Sequence, residues 1–330
     1  MNKFIIKGIL TVIAIFAVSA GSVKAQQNIQ FTQYIFNSLS VNPAYAGYKE
    51  EWFAQMGLRA QWVGIDDAPK TGQVSIDGVL DPDNKKMGIG FQITADKLGP
   101  QSSNSAYLNY AYRLPLNSDG STRLSFGLGA GISQYGIDYS KLNPIDGTDQ
   151  EVNRGTTRGF IPDTRFGVYF STSRWFLGAS MMDLLAGILK EKNHEIIRHN
   201  RHMYFIGGGM IEMNEDIKLR PSVMVKEDFK GPTSLDVNTM IIFDERFWIG
   251  YAYRTGVKLW NKDYDQNQNL SPSNSIGAIA QFFVNDKLRI GYSYDYNLNK
   301  LNTLQSGSHE ITLGLTFPKH IYRSLSPRYF

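Results

Sequence analysis

The chain has no cysteine in 330 residues. That excludes a disulfide framework, a thiolate zinc site and a lipid-modified N-terminal cysteine. Long apolar runs are also scarce. The best candidate, residues 9–20, is shorter than the ~20 residues a transmembrane helix needs. Lys3 and Lys7 precede it and Val23-Lys24-Ala25 follows. A charged start, a short apolar stretch and a small-residue site make a secretory signal. We therefore expect residues 1–25 to be cleaved, with Gln26 as the new end. An excess of charge of one sign is lacking too. Lys3, Lys7 and Lys24 leave with the leader, which brings 34 basic side chains to within one of the 30 acidic ones. A nearly neutral mature chain gives no case for a nucleic-acid partner.

What is present is glycine, aromatic residues and alternation. Thirty-one glycines and 13% aromatic residues favour β structure with close backbone approach. From Glu51 to Gly64, Trp52, Ala54, Met56, Leu58, Ala60 and Trp62 fall on one face, and Phe53, Gln55, Gly57, Arg59 and Gln61 on the other. That is a strand between two different solvents. Further segments of period two follow at 72–80, 86–96, 104–114, 121–135, 164–171, 174–182, 202–213, 215–226, 233–243, 245–255, 274–283, 288–297 and 310–317. Gly207-Gly208-Gly209 blurs the faces of the eighth. Fourteen is an even number, as a closed bacterial barrel needs.

The connections sort by length. Six at one end (81–85, 115–120, 172–173, 214, 244 and 284–287) are short. The other end carries 65–71, 97–103, 136–163, 183–201, 227–232, 256–273 and 298–308. Short periplasmic turns and long outer loops are the habit of outer-membrane barrels. The sequence thus predicts an all-β, 14-stranded antiparallel transmembrane β-barrel over residues 51–317, integral to the outer membrane and in contact with its lipid. It places both termini, including a tail at 318–330, in the periplasm. Thr312–Phe317 also has the polar, glycine and aromatic order of a barrel-insertion signal.

Charged residues on the polar faces include Arg59, Arg113, Arg220, Arg254, Arg289, Asp295 and Glu310. Arg or Lys at the midplane of the lipid face costs ~2–4 kcal/mol, so these are expected to point into the lumen. Residues 26–50 have no strand of their own. Phe31, Tyr34, Phe36, Leu39 and Tyr45 are too apolar for a disordered tail. We expect this N-terminal segment to plug the lumen, with Asn42-Pro43 and Gly47 supplying its bends. Trp62 is expected at the outer end of the first strand, at interfacial height.

These residues carry a family resemblance. Gln30-Phe31-Thr32-Gln33-Tyr34, Asn42-Pro43-Ala44-Tyr45-Ala46-Gly47 and Gln61-Trp62-Val63-Gly64-Ile65-Asp66, with Ala68-Pro69 and Thr71, resemble the opening of the PorP/SprF family. Arg220-Pro221-Ser222, Trp248 with Gly250 and Tyr253-Arg254, Gly291–Tyr296 and Ser308-His309-Glu310 fit it as well. Asp67 departs from it, standing where a small residue such as glycine is expected. The resemblance implies an outer-membrane component of the Bacteroidota type IX secretion system. Its implied partners are the other components of that system and a secreted cargo protein with a C-terminal targeting domain, often of the second type. Such proteins support secretion or cell-surface anchoring, and in gliding bacteria some serve large adhesins. The family has no catalytic residues to carry over and implies no cofactor.

Other chemistry reads as surface. His194-Glu195-Ile196-Ile197-Arg198-His199 resembles a zincin motif, but its second histidine comes one residue late for a shared helix face. Asp263–Asn269 alternates oxygen ligands but lacks the glycine and the glutamate of a calcium loop. Both read as polar outer loops, with no metal ligand assigned. No serine partner can be given to His309, so a hydrolase has no support. Two readings compete beside the enzyme: a barrel anchoring a secreted protein, and a small-solute channel gated by its plug.

Overall fold

The computed structural model describes residues 31–141, 155–185, 201–229, 231–257, 259 and 274–317. The leader, residues 26–30, both metal-like motifs, much of the predicted loops 136–163, 183–201 and 256–273, and the tail lie outside the described residues.

Fourteen antiparallel strands close into a barrel. In chain order they are β1 (Trp52–Ala60), β2 (Lys70–Val79), β3 (Met87–Leu98), β4 (Gln101–Pro115), β5 (Arg123–Asp138), β6 (Thr156–Ser171) and β7 (Trp175–Met182). β8 runs His202–Gly209 and resumes at Ile211–Glu212. Then come β9 (Ile217–Glu227), β10 (Thr233–Phe243), β11 (Phe247–Val257), β12 (Ser275–Phe283), β13 (Leu288–Asn297) and β14 (Ser308–Phe317). Each strand pairs with its neighbour in sequence, and β14 returns to β1 with Arg59 opposite Glu310 and Trp52 opposite Phe317. No edge is left unpaired around the ring.

The faces follow the alternation. Leu58, Val74, Phe91, Leu108, Leu128 and Leu177 are exposed on the outside. Gln55, Gln73, Gln92, Asn109 and Arg165 are buried on the inside. A continuous exposed apolar band is far larger than the patches of a soluble monomer, and it is what a barrel in lipid requires.

Four sequence expectations need correction. First, β1 ends at Ala60, not Gly64. Trp62 has φ 49 and lies in the following loop, so it is not the last residue of the strand. Second, the connection expected at 97–103 is the two-residue turn Gly99-Pro100, so that end of the barrel is not uniformly long-looped. Third, β5 and β6 extend well into the loop expected at 136–163, and Asp138 pairs with Thr156. Within this extension β6 carries Pro162, and β7 pairs with β6 only from Phe166 onward. Pro162 therefore sits where β6 is an edge, and its missing N–H costs no ladder bond. Fourth, the expected strand 202–213 is broken at Met210. On β9, the residues opposite the break are Arg220 and Pro221, between the pairs Ser222–Gly208 and Leu219–Ile211. Proline has no donor to hold the ladder together there.

Candidate functional site

Residues 31–50 lie against the inner wall in three 3-10 turns, Tyr34–Phe36, Ser38–Ser40 and Pro43–Tyr45. The last turn shows why this sequence bends here. Asn42 is extended, its Oδ1 accepts from the Ala44 amide at 2.9 Å, and Pro43 occupies the first position. The other end of the same side chain reaches the wall. Asn42 Nδ2 donates to the carbonyls of Val168 at 3.0 Å and Ala179 at 3.3 Å. One amide thus caps a turn and ties it to β6 and β7.

The wall makes room with glycine. A Cβ at Gly127 would collide with the backbone of Pro43 and Ala44, and one at Gly88 with the Ala46 carbonyl. Gly47, at φ 72, passes 2.9 Å from the Gly88 Cα, measured from the position a Cβ would take, and its amide donates to Asp77 at 3.0 Å. Gly88 and Gly127 are therefore a seat for the segment, whereas Gly129 and Gly131 make room for Asn109 and Tyr107 of the wall.

The interior has two halves. Toward the short turns it is rich in aromatic residues, with buried charges set among them. Tyr34, Phe36, Leu39, Tyr45 and Tyr48 from the segment pack with Tyr169, Phe176, Met240, Ile242 and Trp248 from the wall. Phe36 meets Trp248 at 5.6 Å between centroids, and Tyr169 stacks on Phe176 at 5.8 Å. The Arg289 guanidinium lies 4.6 Å from the Phe36 ring centre and donates to Gln55 at 3.1 Å. Such contact lets a cation share space with an aromatic core.

Toward the long connections the interior is charged. Arg59 donates to Asp295 at 2.7 Å and to Glu310 at 2.9 Å. Glu310 also accepts from the backbone amides of Thr32 at 2.8 Å and Gln33 at 3.1 Å. The Gln33 amide oxygen accepts from Gln281 at 2.8 Å and Thr312 at 2.9 Å. Four strands, β1, β12, β13 and β14, so hold two successive residues of the segment at the closing seam. At the opposite end Glu50 pairs with Lys85 at 2.8 Å, Arg113 at 3.3 Å and Arg123 at 3.4 Å. Arg254 pairs with Asp236, and Arg220 is buried beside Phe36.

Arg59, Arg113, Arg220, Arg254, Arg289, Asp295 and Glu310 are thus all buried on the inner face. The family-motif residues divide between two places. Phe31, Gln33, Tyr34, Asn42, Pro43, Tyr45 and Gly47 are buried within the barrel, and Gln30 lies outside the described residues. Trp62, Gly64, Asp66 and Pro69 belong to the β1–β2 connection, outside the barrel interior. That connection is tied to the chain entering β14: Trp62 N donates to Ser308 Oγ at 3.2 Å and Val63 N to Gly307 O at 2.9 Å. Phe317 lies at the short-turn end opposite Trp52, whereas Thr32 and Gln33 lie deeper, beside Asp295 and Glu310. Tyr169, Met240, Ile242, Trp248 and Ile279 are apolar residues of the inner face that the sequence did not single out as core. Their signal was their phase: Trp248 alternates with Gly250, Ala252 and Arg254.

Among the described residues, no group of three or more metal-ligating side chains is close enough to hold an ion. His309 is bonded to the Tyr292 hydroxyl at 2.7 Å, on the outer wall.

Comparison with known proteins gives two kinds of result. Among solved structures, a monoaromatic hydrocarbon channel, the TodX deltaS2S3 mutant, superposes with a TM-score of 0.52 at 10% identity, covering 84% of this chain and 93% of that one. CymD, another monoaromatic hydrocarbon channel, gives 0.49 at 11% identity, covering 91% and 96%. The Acinetobacter baumannii outer membrane protein Omp33 gives 0.46 at 8% identity, covering 81% and 98%. At these identities the TodX likeness speaks for the fold alone. No curated protein sequence matches the chain. Residues 23–315 match the family described as type IX secretion system membrane protein PorP/SprF. With most of its length inside that match, the chain belongs to the PorP/SprF family of type IX secretion system membrane proteins.

Proposed function

We propose that the protein is a non-enzymatic outer-membrane barrel that supports the secretion or cell-surface anchoring of a specific type IX cargo, with residues 26–50 as a plug. The observation that carries this reading is the burial of residues 31–50 against the inner wall. The described part of the segment is buried along its length and bonded to strands on opposite sides of the ring, at Glu310 and at Val168. A barrel closed in this way serves better as a docking platform than as an open pore. The family supports a partner among the other secretion components. The cargo is a secreted protein with a C-terminal targeting domain, such as a large adhesin, and the long connections are its contact surface. In this orientation the short turns and Phe317 face the periplasm, and Thr32 and Gln33 lie in the half of the bore nearer the cell surface.

The second reading is a channel for small solutes gated by the plug. The buried charges of Arg59, Asp295, Glu310, Asp236 and Arg254 near the long connections favour it. The two are separated by purifying the intact protein from outer membranes and identifying what accompanies it. Recovery of a secreted partner, and loss of that partner from the cell surface when the barrel is deleted, is the expected result. Normal surface display without the barrel contradicts it.

A further inference from the structure

The outer wall carries a recess of about 580 Å³ across β14, β1, β2, β3 and β4, where Ser102 and Asn104 border it, in the half nearer the long connections. That lies within the range of ligand sites, roughly 300–1,000 Å³. Register explains it. One outward row places Lys97 opposite Lys70, Lys70 opposite Ala60, and Ala60 opposite His309. The next row toward mid-membrane places Ala95 opposite Gly72, Gly72 opposite Leu58, and Leu58 opposite Ile311. A third sets Ile93, Val74 and Met56 side by side, all apolar. The small side chains of Ala60, Gly72 and Ala95 hollow the wall between a cationic row and an apolar one.

The cationic row is the unusual part. Like charges directly opposite on neighbouring strands are destabilising. Lys70 and Lys97 are both exposed and face each other. Asp67 is the acidic group whose charge reaches Lys97, yet neither lysine is in an ion pair among the described residues. At the other side of the recess His309 is held by Tyr292 and lies 5.2 Å from the Tyr294 ring, an aromatic edge of the kind found at a membrane–water boundary.

We propose that this recess docks a membrane lipid with an anionic phosphate headgroup, its acyl chain over Gly72 and Ala95 and its phosphate bridging Lys70 and Lys97. Charge complementarity identifies the headgroup, because a phosphate turns the opposed lysines from a repulsion into a clamp. The apolar rows beneath identify a lipid, not a free ion. The site requires a barrel in a membrane but is independent of any cargo role.

Native mass spectrometry of the whole protein in detergent, with phosphatidic acid or phosphatidylcholine added, tests this. The wild type is expected to retain phosphatidic acid over phosphatidylcholine. The K70Q/K97Q pair is expected to lose that retention roughly thirtyfold, while K86Q/K287Q, with the same change of charge at the short-turn end, keeps it. A95L, which fills the recess and leaves both lysines, is expected to weaken retention as well. Equal loss in both charge pairs overturns the site, as does unchanged retention in K70Q/K97Q. Displacement of the lipid by inorganic phosphate alone overturns the lipid assignment.

Discussion

At the residue scale, Asn42 satisfies a turn and two wall carbonyls with one amide. No other side chain of that size offers an acceptor and two donors at opposite ends. Asn42→Ala removes a cap and leaves the Val168 and Ala179 carbonyls without this donor. It is expected to lower barrel stability by about 1–3 kcal/mol, measured as a shift in the urea midpoint in detergent. Asn42→Asp keeps the cap but turns a buried carboxylate oxygen toward both carbonyls, so it should cost at least as much as the alanine. Glu310 is the matching anchor at the seam. Glu310→Ala leaves Arg59 with Asp295 and the Thr32 hydroxyl and strips the acceptor from two buried amides. Breaking a buried charge network in this way is expected to cost about 3 kcal/mol. The same unfolding measurement checks it, and a midpoint unchanged from wild type counts against the clamp.

At the scale of the element, strands were easy to read and their ends were not. Alternation at Trp52–Ala60 assigns every face correctly, because lipid outside and a packed interior inside impose opposite demands at successive residues. The ends depend on neighbours instead. Pro162 is tolerated because β7 is absent beside it, and β8 breaks because Pro221 faces it, neither of which one strand's own sequence reveals. The turns of residues 31–50 were legible as bends at Asn42-Pro43 and Gly47, but their seats were not. Gly88 and Gly127 show their purpose only when Ala46 and Ala44 arrive over them from far along the chain. This gives a prediction for β5. Gly127→Val has room in the strand but none against Ala44, so the barrel should form while the segment is displaced. Limited proteolysis within 31–50 measures it: faster cleavage than wild type is expected, and an unchanged rate shows that the seat is not needed.

At the scale of the whole molecule, the barrel is a closed wall with residues 31–50 buried against its inner face. The family assignment was legible because its motifs fall on residues that fill the interior and on the β1–β2 connection. The gathering of aromatic residues toward the short turns was not, since the apolar inner residues come from many separate strands. That gathering explains why the segment stays: Tyr34, Phe36, Leu39, Tyr45 and Tyr48 would otherwise expose their rings and side chains to water inside the bore. The charges toward the long connections explain how it could be released, since Arg59, Asp295 and Glu310 need only alternative partners to let Thr32 and Gln33 go.

Ion conductance across a planar bilayer tests the filled barrel most directly. The intact protein is predicted to show no steady open step, and a variant lacking residues 26–50 to show one of constant size. N42A/E310A, which keeps the segment but loosens both anchors, is predicted to flicker between the two levels, so the test stands even if the deletion does not fold. An intact barrel that conducts as steadily as the deletion variant would contradict the account.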